Sequence, residues 1–269
     1  MHNSSITSLQ NPLIKEVVKL QQKAQERKKL KQFVIEGVRE VSLALQAGIT
    51  PLHLFICEDF YVPESTYPVT TESIHQHIRY VNPEVYNKMA YRHNAEGIIM
   101  VAGKYNTGLN QIKLTHSPVI IVLEGVEKPG NLGAILRTAD AAGVDAIIIC
   151  DPQTDIFNPN VIRSGLGCLF TQQVALCSNS EFFDWARENR LKVMLASLQA
   201  TKNYYDAEMT KPLAMAFGTE AHGLSEEWYE KADEALKIPM SGRIDSLNVS
   251  ASVAVMAFEA RRQRLQKAL

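Results

Sequence analysis

The chain has 269 residues, 46% of them hydrophobic and 21% charged, with a formal net charge of −1. These proportions describe an ordinary globular protein of one large or two modest domains, and 14 glycines and 11 prolines exclude a collagenous or low-complexity chain. Apolar runs such as 118–123 fall far short of the roughly 20 residues a membrane-spanning helix needs, so no membrane association is expected. The opening residues 1–9 are polar and lack an apolar signal core, which points to a cytoplasmic protein. The four cysteines, Cys57, Cys150, Cys168 and Cys177, never approach a Cys-x-x-Cys spacing. Two of them end apolar β-like runs and read as buried free thiols, and neither a disulfide framework nor a zinc finger is signalled.

Charge is unevenly distributed. Between Lys15 and Lys31 stand seven basic and two acidic residues, a local +5 that leaves −6 for the rest. Lys15, Lys19, Lys23, Arg27 and Lys31 recur every fourth residue, and Leu13, Val17, Leu20 and Ala24 supply an apolar face. On a helix over 13–31 the five cations form a slowly drifting stripe, suited to a polyanion such as RNA; the plainer alternative is a solvated helix face. The pattern then predicts a strand at 33–35, a helix over 38–47, a strand at 52–57, a short helix opening at Asn82-Pro83 and a strand at 98–102. Residues 1–103 form a first domain on this reading, and the polar, aperiodic stretch 104–117 a linker.

From Pro118 to residue 269 strands and helices alternate. Strands are predicted at 119–123, 146–150, 173–176, 192–196, 213–217 and 235–238. Helices are predicted from Asn131, near Val161, over 181–189, over 225–233 and over 247–266. Repeated βα units imply a parallel sheet covered by helices, with ligands at the carboxyl ends of the strands.

Three loops at such ends carry the chemistry. The first, 124–139, leads from a strand into a helix and is glycine-rich, yet Lys128 stands where a dinucleotide fingerprint needs its first glycine, and Glu124 and Glu127 would crowd a pyrophosphate. Asn131 reads as a helix N-cap or a site residue. Arg137, six residues on among apolar neighbours, needs an anion or a carboxylate. The second loop, 218–225, has glycines at both ends; Glu220 is either a ligand to an amino or hydroxyl group or an exposed carboxylate. His222 is left outside the site as a solvated loop histidine. The third, 238–250, runs into the last helix. Ser246 and Asn248 are site residues or caps of that helix, and Leu247, apolar within a polar turn, suits an adenine ring.

Taken together, the three loops resemble the three motifs of the SpoU, or TrmH, family of S-adenosylmethionine-dependent RNA ribose 2′-O-methyltransferases. The motifs are 131–139 with Asn131 and Arg137, Phe217-Gly218-Thr219-Glu220, and Ile238-Pro239-Met240 with 246–250. The N-terminal residues Asn11-Pro12, Lys15 and 33–37 are similar to that family's RNA substrate-binding domain. The resemblance implies an α/β fold: a trefoil-knotted parallel-sheet methyltransferase domain at 118–269, preceded by a smaller ribosomal-protein-like α/β domain. It implies methyl transfer from S-adenosylmethionine to a ribose hydroxyl of RNA, ribosomal RNA before transfer RNA, by a homodimer that needs no metal. Ala196, Gly218, Ile238, Met240 and Leu247 are expected at the cofactor. Arg137, Asn131, Glu220, Ser246 and Asn248 are expected in catalysis, with Arg137 as base or electrostatic orienter of the hydroxyl. Ala221 and Gly165 depart from the residues common in the family. The rival classes are a catalytically silent RNA-binding or assembly protein of the same fold and a nicotinamide oxidoreductase, the second disfavoured by the broken glycine fingerprint.

Overall fold

The structure, a computed structural model, describes residues 5–69, 72–91, 96–219 and 221–267. Its contacts divide the chain into two units. The first comprises Met1–Tyr105 and Asp155–Thr171, the second Asn106–Thr154 and Gln172–Leu269. Assigning the whole of 118–269 to one domain misses the return of 155–171 to the first unit.

In that first unit Asn11 caps α1 (Pro12–Gln22), its side chain accepting the Leu13 N–H at 2.9 Å, with Pro12 at the first helical position. The helix does not run on to residue 31. At Lys23 the backbone turns extended (φ −121°, ψ 113°), and a separate α2 (Ala24–Leu30) follows. This break corrects the continuous stripe. Lys15, Lys19, Lys23 and Lys31 are exposed, whereas Arg27 is 2% exposed and turned inward. Its guanidinium donates to the Leu20 and Gln21 carbonyls at 2.7 and 3.3 Å, among those left open at the end of α1, and pairs with Asp155 at 2.7 Å. Arg27 is therefore withdrawn from the RNA-facing set: the stripe bends where the helix breaks, and the interior takes the fourth cation.

After α2 come β1 (Gln32–Glu36), α3 (Val38–Gln46), β2 (Pro51–Ile56), β3 (Ile78–Tyr80), α4 (Pro83–Met89) and β4 (Ile98–Gly103), the strands ordered β1-β4-β2-β3. Side-chain alternation gives the sheet two apolar faces. Val34, Phe55, Ile99 and Val101 pack with Ile14, Val17 and Leu20 of α1 and with Tyr86 and Met89 of α4. Phe33 lies 4.6 Å from the Phe157 ring and 6.3 Å from Phe170, centroid to centroid, both within the returning segment 155–171.

The second unit holds β5 (Val119–Glu124), α5 (Pro129–Ala142) and β6 (Ala146–Cys150); the chain then lends α6 (Pro159–Ser164) to the first unit. It continues with β7 (Val174–Cys177), α7 (Asn179–Glu188), β8 (Lys192–Ala196), β9 (Lys202–Asn203), β10 (Leu213–Phe217), α8 (Glu226–Lys231), β11 (Glu234–Lys237) and α9 (Val249–Lys267). All strand pairs are parallel, in the order β7-β6-β5-β10-β8-β11-β9. β6 and β10 are buried at every residue, which is why they read as unbroken apolar runs. On one face Trp228 of α8, fully buried, packs on Phe182 and Phe183 of α7; α9 lies along α5. Short β9 has no apolar pattern and was not expected. No helix among the described residues is long and apolar enough to cross a membrane.

Candidate active site

β10 lies between β5 and β8, so the chain direction across the sheet reverses around it, the place where parallel sheets open a crevice. At the carboxyl ends of β8, β10 and β11 that crevice is a cavity of about 650 Å³, within the range of small-molecule sites. Ala196, Gly218, Ile238, Met240 and Leu247, scattered over 52 positions of sequence, line it together. Apolar wall comes also from Phe217 and Leu236, both buried.

Gly218 shows why that loop needs its glycine. The turn doubles back so tightly that a Cβ on Gly218 would lie 2.0 Å from the Gly223 carbonyl carbon. Thr219 and Gly223 exchange both backbone hydrogen bonds at 3.0 Å, closing the turn, and the His222 N–H donates to the Thr219 hydroxyl at 3.0 Å. His222, set aside on sequence grounds, lines the cavity. Glu220 lies outside the described residues.

The third loop wraps the same cavity through Asp245, Ser246, Leu247 and Asn248. α9 begins at Val249, two residues later than expected, because Asn248 is its cap: its carbonyl accepts the Ala251 and Ser252 N–H groups, and its side-chain oxygen the Ser250 N–H at 3.0 Å. Ser246 does not cap; its hydroxyl donates to Asp245 at 3.2 Å. Asn131 is no cap either. α5 starts at Pro129, which places Asn131 inside the first turn, where its side-chain oxygen accepts from Asn248 Nδ2 at 3.3 Å. Capping and site chemistry thus coexist in Asn248, which joins the cavity to the helix bearing Arg137. Arg137 itself is exposed and makes no hydrogen bond or ion pair with the described residues, so no carboxylate among them pairs with it.

Sequence reasoning missed Ser197, Gln199 and Tyr229 as cavity residues. The Tyr229 hydroxyl lies 3.0 Å from the Ser197 hydroxyl, tying α8 to the end of β8. Ser197 was findable, since it directly follows a predicted strand; Tyr229 sits in a helix whose pattern points only to its buried neighbour Trp228.

The SpoU rRNA Methylase family model matches residues 118–258, and an MRM3-like substrate binding domain matches 11–100. This chain belongs to the SpoU rRNA methylase family. It is 33% identical to an uncharacterised tRNA/rRNA methyltransferase of Synechocystis, over 97% of this chain and 94% of that protein. It is 27% identical to a 23S rRNA (guanosine-2′-O)-methyltransferase of Bacillus subtilis, over 95% of this chain and 98% of that one. Among solved structures, an AdoMet-bound rRNA methyltransferase from Sinorhizobium meliloti superposes with a TM-score of 0.85 at 28% identity, covering 96% of this chain and 97% of that one. The broken dinucleotide fingerprint and the family agree: a nicotinamide oxidoreductase is excluded.

Proposed function

We infer that the protein transfers a methyl group from S-adenosylmethionine to a ribose 2′-hydroxyl of ribosomal RNA. The observation that carries this reading is the convergence of Ala196, Gly218, Ile238, Met240 and Leu247 on one cavity whose third loop is hydrogen-bonded, through Asn248, to Asn131 on the Arg137 helix. The cavity fits the cofactor: an apolar slot of Leu236, Ile238 and Leu247 for a purine, and polar groups at Ser197 and Asp245. When bound, S-adenosylmethionine supplies a methyl group activated by its sulfonium charge.

The chain's own residues position and stabilise. Arg137, exposed and without a partner among the described residues, is placed to hold an RNA phosphate or stabilise an alkoxide as the hydroxyl loses its proton. An arginine guanidinium is a poor base, so orientation and charge are the roles it performs best. Asn131 and Asn248 hold the ribose and cofactor sides in register, Ser246 borders the cavity, and Glu220 is assigned to the same site by family position alone. Lys15, Lys19, Lys23 and Lys31 form an exposed basic surface for RNA phosphates. Ribosomal RNA is preferred to transfer RNA on the substrate of the Bacillus relative.

The same reading includes a trefoil knot in the methyltransferase domain, a homodimer and a cytoplasmic location. A dimer is supported by α9, where Phe258 and Leu265, seven residues apart, are 46% and 56% exposed. Mapping ribose methylation across total RNA with and without the gene tests the function; an unchanged map from cells that express the protein refutes it.

A further inference from the structure

Glu124 closes β5, and on sequence grounds it is only an acid that argues against a pyrophosphate. In the structure both its carboxylate oxygens are committed. Oε2 accepts the Ser225 backbone N–H at 2.8 Å; Oε1 accepts the Ser225 hydroxyl at 2.7 Å and Asn179 Nδ2 at 2.7 Å. Ser225 ends the turn that begins at Gly218, so Glu124 grips the far end of that turn from the neighbouring strand. The residue after Glu124 runs close to the near end of the same turn: Gly125 has φ +63°, and a Cβ there would stand 3.1 Å from Thr219 Cγ2. The turn itself is closed by the Thr219–Gly223 pair. The loop after β10 therefore has little freedom left relative to the loop after β5, which continues to Asn131 and Arg137.

We propose that Glu124 is a positioning residue for methyl transfer: it locks the 218–225 turn, a wall of the cofactor cavity, in register with the segment that presents Asn131 and Arg137. Glu124 does not itself line the cavity, so its replacement removes no direct cofactor contact. Its effect passes through Ser225. All three of its partners are neutral donors, and a carboxylate is the one side-chain group of this reach that accepts from all of them without presenting a donor of its own. The inference rests on the functional reading above and adds to it the element that couples the two halves of the site.

The alternative is that Glu124 only tethers the starts of α7 and α8 and contributes to stability alone. Four proteins separate the two: wild type, Glu124→Ala, Glu124→Met and Glu124→Gln. Each is compared by S-adenosylmethionine titration and by single-turnover methylation at saturating cofactor and RNA, well below its melting temperature. Positioning predicts that Glu124→Ala weakens cofactor binding about tenfold and slows the saturated turnover about tenfold or more, because unmatched donors release the turn. Glu124→Met, of similar length but without a carboxylate to accept the three bonds, shows the same losses, so the test survives if the alanine variant does not fold. Glu124→Gln keeps most of both, because its oxygen can take the Ser225 N–H while its NH2 meets the Asn179 side-chain oxygen after an amide flip and the Ser225 hydroxyl oxygen. Binding and turnover within twofold of wild type in a folded Glu124→Met protein, whatever its melting temperature, overturns the proposal. A wild-type chain that fails to bind S-adenosylmethionine refutes the functional reading and the positioning role with it, an outcome distinct from a wild type that binds beside variants that bind equally well.

Discussion

Arg137 stands exposed on α5 with no partner among the described residues. An interaction made mainly as charge develops is lost from rate rather than from cofactor affinity. Arg137→Ala is therefore expected to leave S-adenosylmethionine binding unchanged by calorimetry while single-turnover methylation falls by about 10²-fold or more. Arg137→Lys recovers little of it, since a point charge cannot reproduce a planar fork. Leu247 makes the converse case. It lines the cavity and is half-buried, so Leu247→Asp sets an unpaired charge against an apolar slot and should abolish cofactor binding in the same titration. Cys150 shows what the interior does to a nucleophile: a contact with the Cys177 sulfur at 3.8 Å and burial push its thiol well above the usual range. The thiolate is then scarce at ordinary pH. Alkylation with iodoacetamide at pH 8, followed by mass spectrometry, should spare Cys150 in the folded protein and modify it readily in denaturant.

The break between α1 and α2 separates two kinds of basic residue that a single period groups together. Replacing Lys15, Lys19 and Lys23 by glutamate should weaken RNA binding without lowering the melting temperature, and the log–log salt slope should shrink by about 0.7 to 0.9 for each phosphate no longer neutralised. Arg27→Ala should do the reverse. It leaves Asp155 to Lys104 alone and reopens the carbonyls of Leu20 and Gln21, a loss of about 1 to 3 kcal/mol by denaturant titration, with little change in RNA affinity per folded molecule. A spacing of four residues cannot reveal this, because the partner of Arg27 lies 128 positions along the chain. Elsewhere periodicity is informative. The strands predicted at 146–150, 192–196 and 213–217 match Ala146–Cys150, Lys192–Ala196 and Leu213–Phe217, since β6 and β10 are buried at every residue and β8 at its three central ones, which keeps their apolar runs unbroken. Helix starts are less legible, as at Pro129 and Val249, where proline geometry and a side-chain cap decide the first turn. The convergence of five distant residues on one cavity follows from motif resemblance; no local pattern links Ala196 to Leu247.

The return of 155–171 to the first unit alters what a truncation does. With the basic residues before 103 and all three loops after it, the sequence suggests that a fragment lacking residues 1–103 keeps a folded cofactor site and loses RNA. In such a fragment, however, Phe157 and Phe170 lose Phe33, and Asp155 loses both Arg27 and Lys104 if the cut falls beyond residue 104. The expected outcome is a fragment that binds S-adenosylmethionine yet aggregates or melts earlier than the full chain; a fragment as stable as the parent by calorimetry would contradict it. Light scattering at micromolar concentration should report about twice the 30.0 kDa of one chain, and Phe258→Glu should shift it toward the monomer. The same excursion also bears on how the protein is made. During synthesis the first unit cannot complete its sheet cover when residue 105 emerges, because Phe157, Val161 and Phe170 have yet to be translated. Its contacts span long stretches of sequence, the condition under which folding slows. Through the synthesis of some fifty further residues the patch of β1 around Phe33 lacks this cover, and the nascent chain presents there an apolar surface that chaperones recognise and proteases can reach.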